Sequence, residues 1–392
     1  MIKVKNNQLI YISNPIESAV VESQVYALLQ YYKNINAFEN IVLIQVYNND
    51  ASYKLAKNIL KKYDFHVEFI KGSISILIKI NPFYFRLKKL LKLVIKSDDF
   101  IIHIRTELVG YYAINILNNL KLPLNILIDV RGVFKEELEF RINEGHYNTI
   151  CNHQIILIFL YERIFNVFKK YKIYFSTVSI TLKKYLIDKG VKSEISVNSN
   201  IANENFVFSI RDRHILRKKL GINDEKIVIV LSSSGNDSWQ SDKSVVNHLI
   251  KDDNLIILNL SKEEIINKNV INMYLPFHEM PKFLSVADIA IVWRDKNLLN
   301  ACASPSKFSE FAAMGLFIVH NNSVDLISDY IRKNNHGILL DDISQFKFSD
   351  NDKLKDNNRL IQSEIGRKTF GVERISKSYQ NLYANIKKSN KL

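Results

Sequence analysis

The sequence predicts an α/β protein of two doubly wound domains with a cleft between them. Three observations carry that expectation. Short apolar, strand-like runs alternate with helix-like segments along the whole chain, the pattern of parallel sheets flanked by helices. The alternation restarts near residue 200, so two βα arrays of similar size follow one another. Finally, 392 residues with 47% hydrophobic side chains suffice for two cores, and only 11 Gly and 6 Pro leave little room for disordered linkers.

In the first array the expected strands are QLIYIS, NIVLIQVY, HVEFI, FIIHI at Phe100–Ile104 and NILIDV at 125–130. Helices are expected over 18–32, 51–63 and Glu107–Leu120. A long helical stretch over 153–171, a strand IYFSTVS, a short helix over 181–189 and the segment SEISVNSNIANENF follow. The second array opens with a charged helix over 212–220. Its expected strands are KIVIVLSSSG, NLIILNL, VINMYL, IAIVWR, LFIVH and GILL, with helices between. GVERISKSYQNLYANIKKSN at the end reads as a long amphipathic helix.

Composition narrows the function classes. Net charge is +14, from 54 basic and 40 acidic side chains. This balance points to an anionic partner, or to a lysine-rich compositional bias whose charges are simply solvated. Cys151 and Cys302 stand far apart without further ligand-type residues at metal spacing. A disulfide framework or a zinc site is therefore not expected, and a reducing, cytoplasmic setting is. MIKVKNNQLIYISNP lacks the apolar core of a signal peptide, and no run reaches the length of a membrane span. Neither G-x-x-x-x-G-K-[ST] nor G-x-G-x-x-G occurs. Asp350–Asp352, the sole Asp-x-Asp, lies in a polar connector, so no metal is expected. No aromatic-basic platform or DNA motif supports a nucleic-acid partner.

The stretch IVWRDKNLLNACASPSKFSEFAAMGLFIVH holds the most informative chemistry. A strand over 289–294 leads into a loop over 295–303. Ser304 is then expected at a helix N-cap, with Pro305 at the first helical position, where its missing N–H costs nothing. Backbone amides of Ser306 and Lys307 become unpaired donors that, with the helix dipole and the Lys307 charge, form an anion site. Glu310 stands one turn on, where a carboxylate can accept two hydrogen bonds from a vicinal diol. Phosphate on the amides and diol on the acid describe a nucleoside diphosphate. An ordinary Ser-Pro helix start with a surface Lys and Glu would use the same residues.

Other strand ends supply further candidates. Ser234 and Gly235 follow a strand expected to be central, and a glycine there lets backbone approach a phosphate. Arg294 closes its strand, either as a partly exposed charge or as a neutraliser of a pyrophosphate leaving group. Asp129, Arg131 and Gly132 sit after NILID, as an ion pair fixing a loop or as Arg131 meeting phosphate with Asp129 orienting it. His103 and Arg105 flank another strand end. Tyr84 to Lys96, YFRLKKLLKLVIK, is a basic amphipathic helix, half-buried or resting on an anionic membrane.

These segments resemble the retaining GT-B glycosyltransferases of bacterial capsule and lipopolysaccharide synthesis. ASPSKFSEFAAMGLFIV looks like their donor-site segment, FIIHIRTE and LIDVRGVFKEEL like their N-domain segments, and VLSSSGNDSWQSDKSV like their first C-domain strand and turn. ISVNSNIANENF resembles the interdomain segment without its usual proline, and GVERISKSYQNLY a terminal helix crossing back to the first domain. Many relatives carry two acids eight positions apart. Here the second is Glu310, but the first position holds Cys302.

The resemblance implies two Rossmann-like domains: an acceptor-side domain over 1–202, a nucleotide-sugar domain over 203–372 and a crossing helix over 373–392. It implies transfer of a sugar, with retention and without metal or other cofactor, from a nucleotide sugar to a bacterial surface glycan, lipid-linked at the inner face of the cytoplasmic membrane. Arg131, Asp129, Arg294 and Lys307 are the expected catalytic residues. Ser234, Gly235, Ser304, Ser306, Lys307 and Glu310 are expected to bind donor, and His103 and Arg105 to lie on the acceptor side. A nucleotide-sugar epimerase of the same fold, or a catalytically silent nucleotide-sugar-binding subunit suggested by Cys302, are the alternatives.

Overall fold

The computed structural model describes residues 6–13, 19–72, 81–144, 152–231, 243–261, 263–347 and 351–389. The chain divides into two compact units, one of Met1–Ser199 with Ile375–Leu392 and the other of Asn200–Arg374.

The first unit is built on a parallel seven-stranded sheet. Its strands are β1 (Asn6–Ser13), β2 (Phe38–Tyr47), β3 (His66–Lys71), β4 (Phe100–Ile104), β5 (Ile126–Val130), β6 (Tyr174–Thr177) and β7 (Ile195–Val197). They are ordered β3-β2-β1-β4-β5-β6-β7. Every residue of β4 and β5 is buried, as expected of strands covered by helices on both faces. His103 and Asp129 are the polar residues inside these two apolar runs. The helix Glu107–Leu120 begins where the Thr106 side chain accepts the Val109 N–H and ends at Lys121 in the left-handed region, φ 56°. Gly110 lets it sit hard on the sheet, because a Cβ there would stand 2.6 Å from Ile128 Cδ1.

Two departures from expectation have local causes. The helix expected over 18–32 is interrupted: Ala19–Val21 is α, Glu22–Tyr26 is a π-turn and Ala27–Asn34 is α again. The wider turn brings Ser23, Gln24, Val25 and Tyr26 all into the interior. The loop expected over 295–303 contains a one-turn helix, Leu298–Ala301, capped by the Asn297 side chain, which accepts from the Asn300 N–H.

The second unit carries a parallel six-stranded sheet of β8 (Ile227–Leu231), β9 (Leu255–Asn259), β10 (Val270–Asn272), β11 (Ile289–Val292), β12 (Phe317–His320) and β13 (Gly337–Leu339). The order is β10-β9-β8-β11-β12-β13. Alternate residues feed two cores. Val228, Val230, Ala290 and Ile318 pack with Phe308, Phe311 and Phe370 on one face, and Ile229, Leu231, Ile289 and Val319 with Val245 and Leu249 on the other. Helix Asp356–Phe370 lies so close to helix Ser306–Ala313 that a Cβ on Gly366 would fall 1.9 Å from the Ala312 carbonyl oxygen. Arg359, only 1% exposed, donates to the carbonyls of Met314 at 3.2 Å, Ser285 at 2.9 Å and Leu284 at 2.8 Å. It thereby ties off chain ends that regular structure leaves unpaired.

The terminal helix Val372–Ser389 buries Ile375, Tyr379, Leu382, Tyr383 and Ile386, the three-and-four spacing of one helix face. From Ile375 onward it belongs to the first unit. Among the described residues no helix is long and apolar enough to cross a membrane. Each sheet reverses its winding once, between β1 and β4 and between β8 and β11. In doubly wound sheets ligands bind at the carboxyl ends of the strands beside that reversal.

Candidate active site

In the second unit β11 delivers the chain to Arg294, then to the helix Ser306–Ala313. The N-cap is Pro305 (φ −62°, ψ 126°), and no side chain caps the helix. This corrects the expectation of Ser304 as cap and Pro305 as first helical residue. The Ser304 hydroxyl is committed elsewhere, accepting the Asn200 backbone N–H at 3.0 Å, while the Asn200 side-chain amide donates to the Ser304 carbonyl. The first-turn amides, including those of Ser306 and Lys307, therefore face no side-chain acceptor from the cap position. Gly315 closes the helix at φ 65°.

Glu310 is 2% exposed, and its Oε2 has no hydrogen-bond partner. Lys307 Nζ lies 3.4 Å from that oxygen. Burial raises the Glu310 pKa, and the ammonium of Lys307 counteracts it. A buried carboxylate oxygen with unused acceptor capacity beside an uncapped helix start can take hydroxyl donors from a ligand whose anionic part meets the amides. Arg294 Nη1 donates to Asn300 Oδ1 at 3.2 Å, and its backbone N–H meets Asn321 Oδ1 at 3.3 Å. Lys307, Glu310 and Ser306 are thus assembled as the spacing predicts, with Arg294 held through Asn300. Cys302 is wholly buried, so the position at which many relatives carry an acid presents no polar group here. Ser234, Gly235 and Trp239 fall within 232–242, outside the described residues.

The first unit gathers its candidates where β4 and β5 end. Asp129, 1% exposed, has Oδ2 3.4 Å from Arg131 Nε and 3.9 Å from His103 Nε2. The Tyr379 hydroxyl donates to its Oδ1 at 3.3 Å. Burial by itself would raise the Asp129 pKa, but Arg131, with His103 and Arg105, holds it at about 2. His103 is fully buried with Nδ1 2.7 Å from the Tyr383 hydroxyl, and burial lowers its pKa despite Asp129. A neutral imidazole, one carboxylate and the guanidiniums of Arg105 and Arg131 leave the cluster net positive. Arg131 reaches Asn198 O at 3.4 Å and keeps 18% of its side chain exposed, whereas His103 has none. Any effect of His103 on a ligand therefore passes through its neighbours.

Sequence reasoning missed Tyr379, Tyr383, Asn200 and Glu107. Tyr379 and Tyr383 are spaced i, i+4 on the terminal helix, a visible signal for two buried rings but not for their hydroxyl partners. Glu107, 6% exposed at the start of its helix, is pushed up to about 7 by burial. Glu162 pairs with Lys135 at 2.7 Å on the surface.

No family model matches the chain, and no curated protein matches it in sequence. Solved structures do match in fold. HepE of Anabaena in complex with UDP-glucose aligns with TM-score 0.67 at 10% identity over 96% of this chain and 99% of that one. The lipopolysaccharide outer core galactosyltransferase WaaB, in its apo form, gives 0.59 at 12% identity over 96% and 99%. The UDP-forming α,α-trehalose-phosphate synthase of Burkholderia vietnamiensis gives 0.58 at 8% identity over 98% and 100%. With its two parallel, doubly wound sheets aligned to these structures over nearly its full length, the chain has the GT-B fold of glycosyltransferases.

Proposed function

We propose that the chain is a glycosyltransferase that moves a sugar from a nucleotide sugar to a glycan acceptor. The uncapped helix start at Ser306, with the buried carboxylate of Glu310 one turn on, whose Oε2 lies 3.4 Å from Lys307 Nζ and accepts no hydrogen bond, carries the reading. In it Glu310 accepts from the ribose hydroxyls, while the first-turn amides and Lys307 hold the diphosphate. Transfer is accelerated by stabilising charge that develops on the departing phosphate, and these donors are aimed where that charge appears. Arg294 adds a cation beside them. Arg131, oriented by Asp129, meets phosphate or an acidic acceptor in the first unit, with His103 and Arg105 behind it. We assign retention of configuration from the resemblance to the retaining GT-B enzymes, and independence of metal because the proposed side chains and amides would neutralise the leaving charge. That HepE was solved with UDP-glucose supports the nucleotide-sugar donor, and that WaaB is a lipopolysaccharide outer core galactosyltransferase supports a surface-glycan acceptor.

A lipid-linked acceptor at the inner membrane face fits a groove of about 650 Å³ on the first unit, lined by Tyr47, Phe69, Lys71, Arg86, Lys89 and Leu93. Leu93 of that lining is 59% exposed, and Phe85, next in the chain to Arg86, is 53% exposed. Co-sedimentation with anionic vesicles should be lost on Lys89→Glu with Leu93→Asp. Unchanged sedimentation removes the membrane part of the proposal alone.

Calorimetry against UDP, GDP, ADP and CMP and their sugar conjugates tests the core of it. One of them should bind, and Glu310→Ala should weaken it by about 1.5–3 kcal/mol through lost charge-assisted bonds. A 2′,3′-dideoxy nucleotide should show no such loss. Flat titrations throughout sink the assignment. Donor binding without turnover would favour the silent-subunit reading, which the buried thiol of Cys302 at the usual acid position supports.

A further inference from the structure

A Ser-Pro helix start normally caps itself, the serine hydroxyl taking an amide of the first turn. Ser304 does not. Asn200 grips it from two sides, the Asn200 backbone N–H donating to Ser304 Oγ at 3.0 Å and the side-chain amide to the Ser304 carbonyl. Ser309, from the middle of the same helix, donates its hydroxyl to the Asn200 carbonyl at 3.0 Å. All three residues are interior, Asn200 at 9%, Ser304 at 7% and Ser309 at 0% exposure. The cap position passes to Pro305, which has no side-chain acceptor. Glu310 Oε2 stays buried one turn further on, beside Lys307 Nζ and accepting no hydrogen bond.

We infer that the Asn200 side chain is a positioning group for donor binding: by holding the Ser304 carbonyl it keeps the Ser304 hydroxyl turned to the residue-200 backbone N–H and away from the first turn, whose amides stay open to the donor diphosphate. The inference rests on the nucleotide-sugar reading of this site and deepens it. A serine cap and a phosphate compete for the same amides, so whichever group holds Ser304 sets the strength of the anion site. Asn200 is two residues beyond Asn198, within a connecting segment that otherwise shows no chemistry in the sequence.

The test is a double-mutant cycle read by calorimetry, with the tightest-binding of UDP, GDP, ADP and CMP as probe and its parent nucleoside as control. Asn200→Ala should weaken the nucleotide about fivefold, the equivalent of one helix cap, and leave the nucleoside within about twofold. Adding Ser304→Ala removes the competing hydroxyl and should restore nucleotide affinity to within about twofold of wild type. Equal nucleotide affinity in Asn200→Ala and wild type overturns the inference, as does a double variant as weak as the single one. Asn200→Ser, which is too short to reach the Ser304 carbonyl, serves if the alanine variant melts early. Failure of both to fold makes Asn200 a structural residue only and also overturns the inference. A wild type that binds none of the four nucleotides instead refutes the proposed function itself.

Discussion

Replacing Asp129 by asparagine would test the charge balance of the first unit directly. The carboxyl is held at about 2 against an ordinary 3.8, chiefly because Arg131, His103 and Arg105 outweigh the cost of its burial. A tenfold change in proton affinity is about 1.4 kcal/mol, so the charged form stabilises the folded unit by about 2–3 kcal/mol. The substitution would also leave Arg131 without this carboxylate. Breaking a buried pair costs about 3–5 kcal/mol, and the partial exposure of Arg131 places this case at or below the low end. We expect Asp129→Asn to lower stability by about 2–3 kcal/mol at pH 7. The sign follows from the depressed pKa: the stabilisation is complete above the ordinary carboxylate value and is lost as pH falls towards the folded one. The gap between wild type and variant should therefore close below about pH 4.

Urea unfolding at stepped pH, followed by far-UV circular dichroism, measures that gap. Both tryptophans, Trp239 and Trp293, fall in the Asn200–Arg374 unit by sequence, so tryptophan fluorescence supplies an internal control that should not move. A loss under about 0.5 kcal/mol at pH 7, or a gap unchanged from pH 5 to pH 3, refutes the argument. Either result would mean that the network does not set the ionisation of Asp129.

The second unit offers two further checks. His320 and His336 are both lowered from 6.5 to about 4, first by burial, so each contributes stability above pH 6.5 that fades as pH falls through 4. The tryptophan-detected transition should weaken across that window, and His336→Gln should flatten part of the slope; a level profile from pH 6.5 to 4 contradicts it. Gly366→Ala sets local propensity against packing. Alanine favours a helix interior by about 1 kcal/mol, but its Cβ would meet the Ala312 carbonyl, so a net loss of about 2–3 kcal/mol is expected in urea unfolding and a gain would contradict the close approach.

Much of the fold could be read directly. Phe100–Ile104 and Glu107–Leu120 lie where apolar runs, the Thr106 cap and helical periodicity put them, because these signals act between residues close in the chain. Ser306, Lys307 and Glu310 were legible for the same reason, as neighbours on one helical turn. His103 and Arg105 could be seen as strand-end polar residues, but not what holds them. The Tyr383 hydroxyl on His103 comes from 280 positions away, and that of Tyr379 on Asp129 from 250.

Local chemistry therefore settles where most strands and helices lie, and with them the α/β class. Tertiary structure alone decides the cap of the helix Ser306–Ala313 and the protonation of the Asp129 cluster. Ser304 carries every local mark of an N-cap, yet a residue 104 positions away engages its hydroxyl and moves the helix start. Hydrogen bonding and burial depend on distance in space, and a short stretch of sequence holds no record of what folds against it.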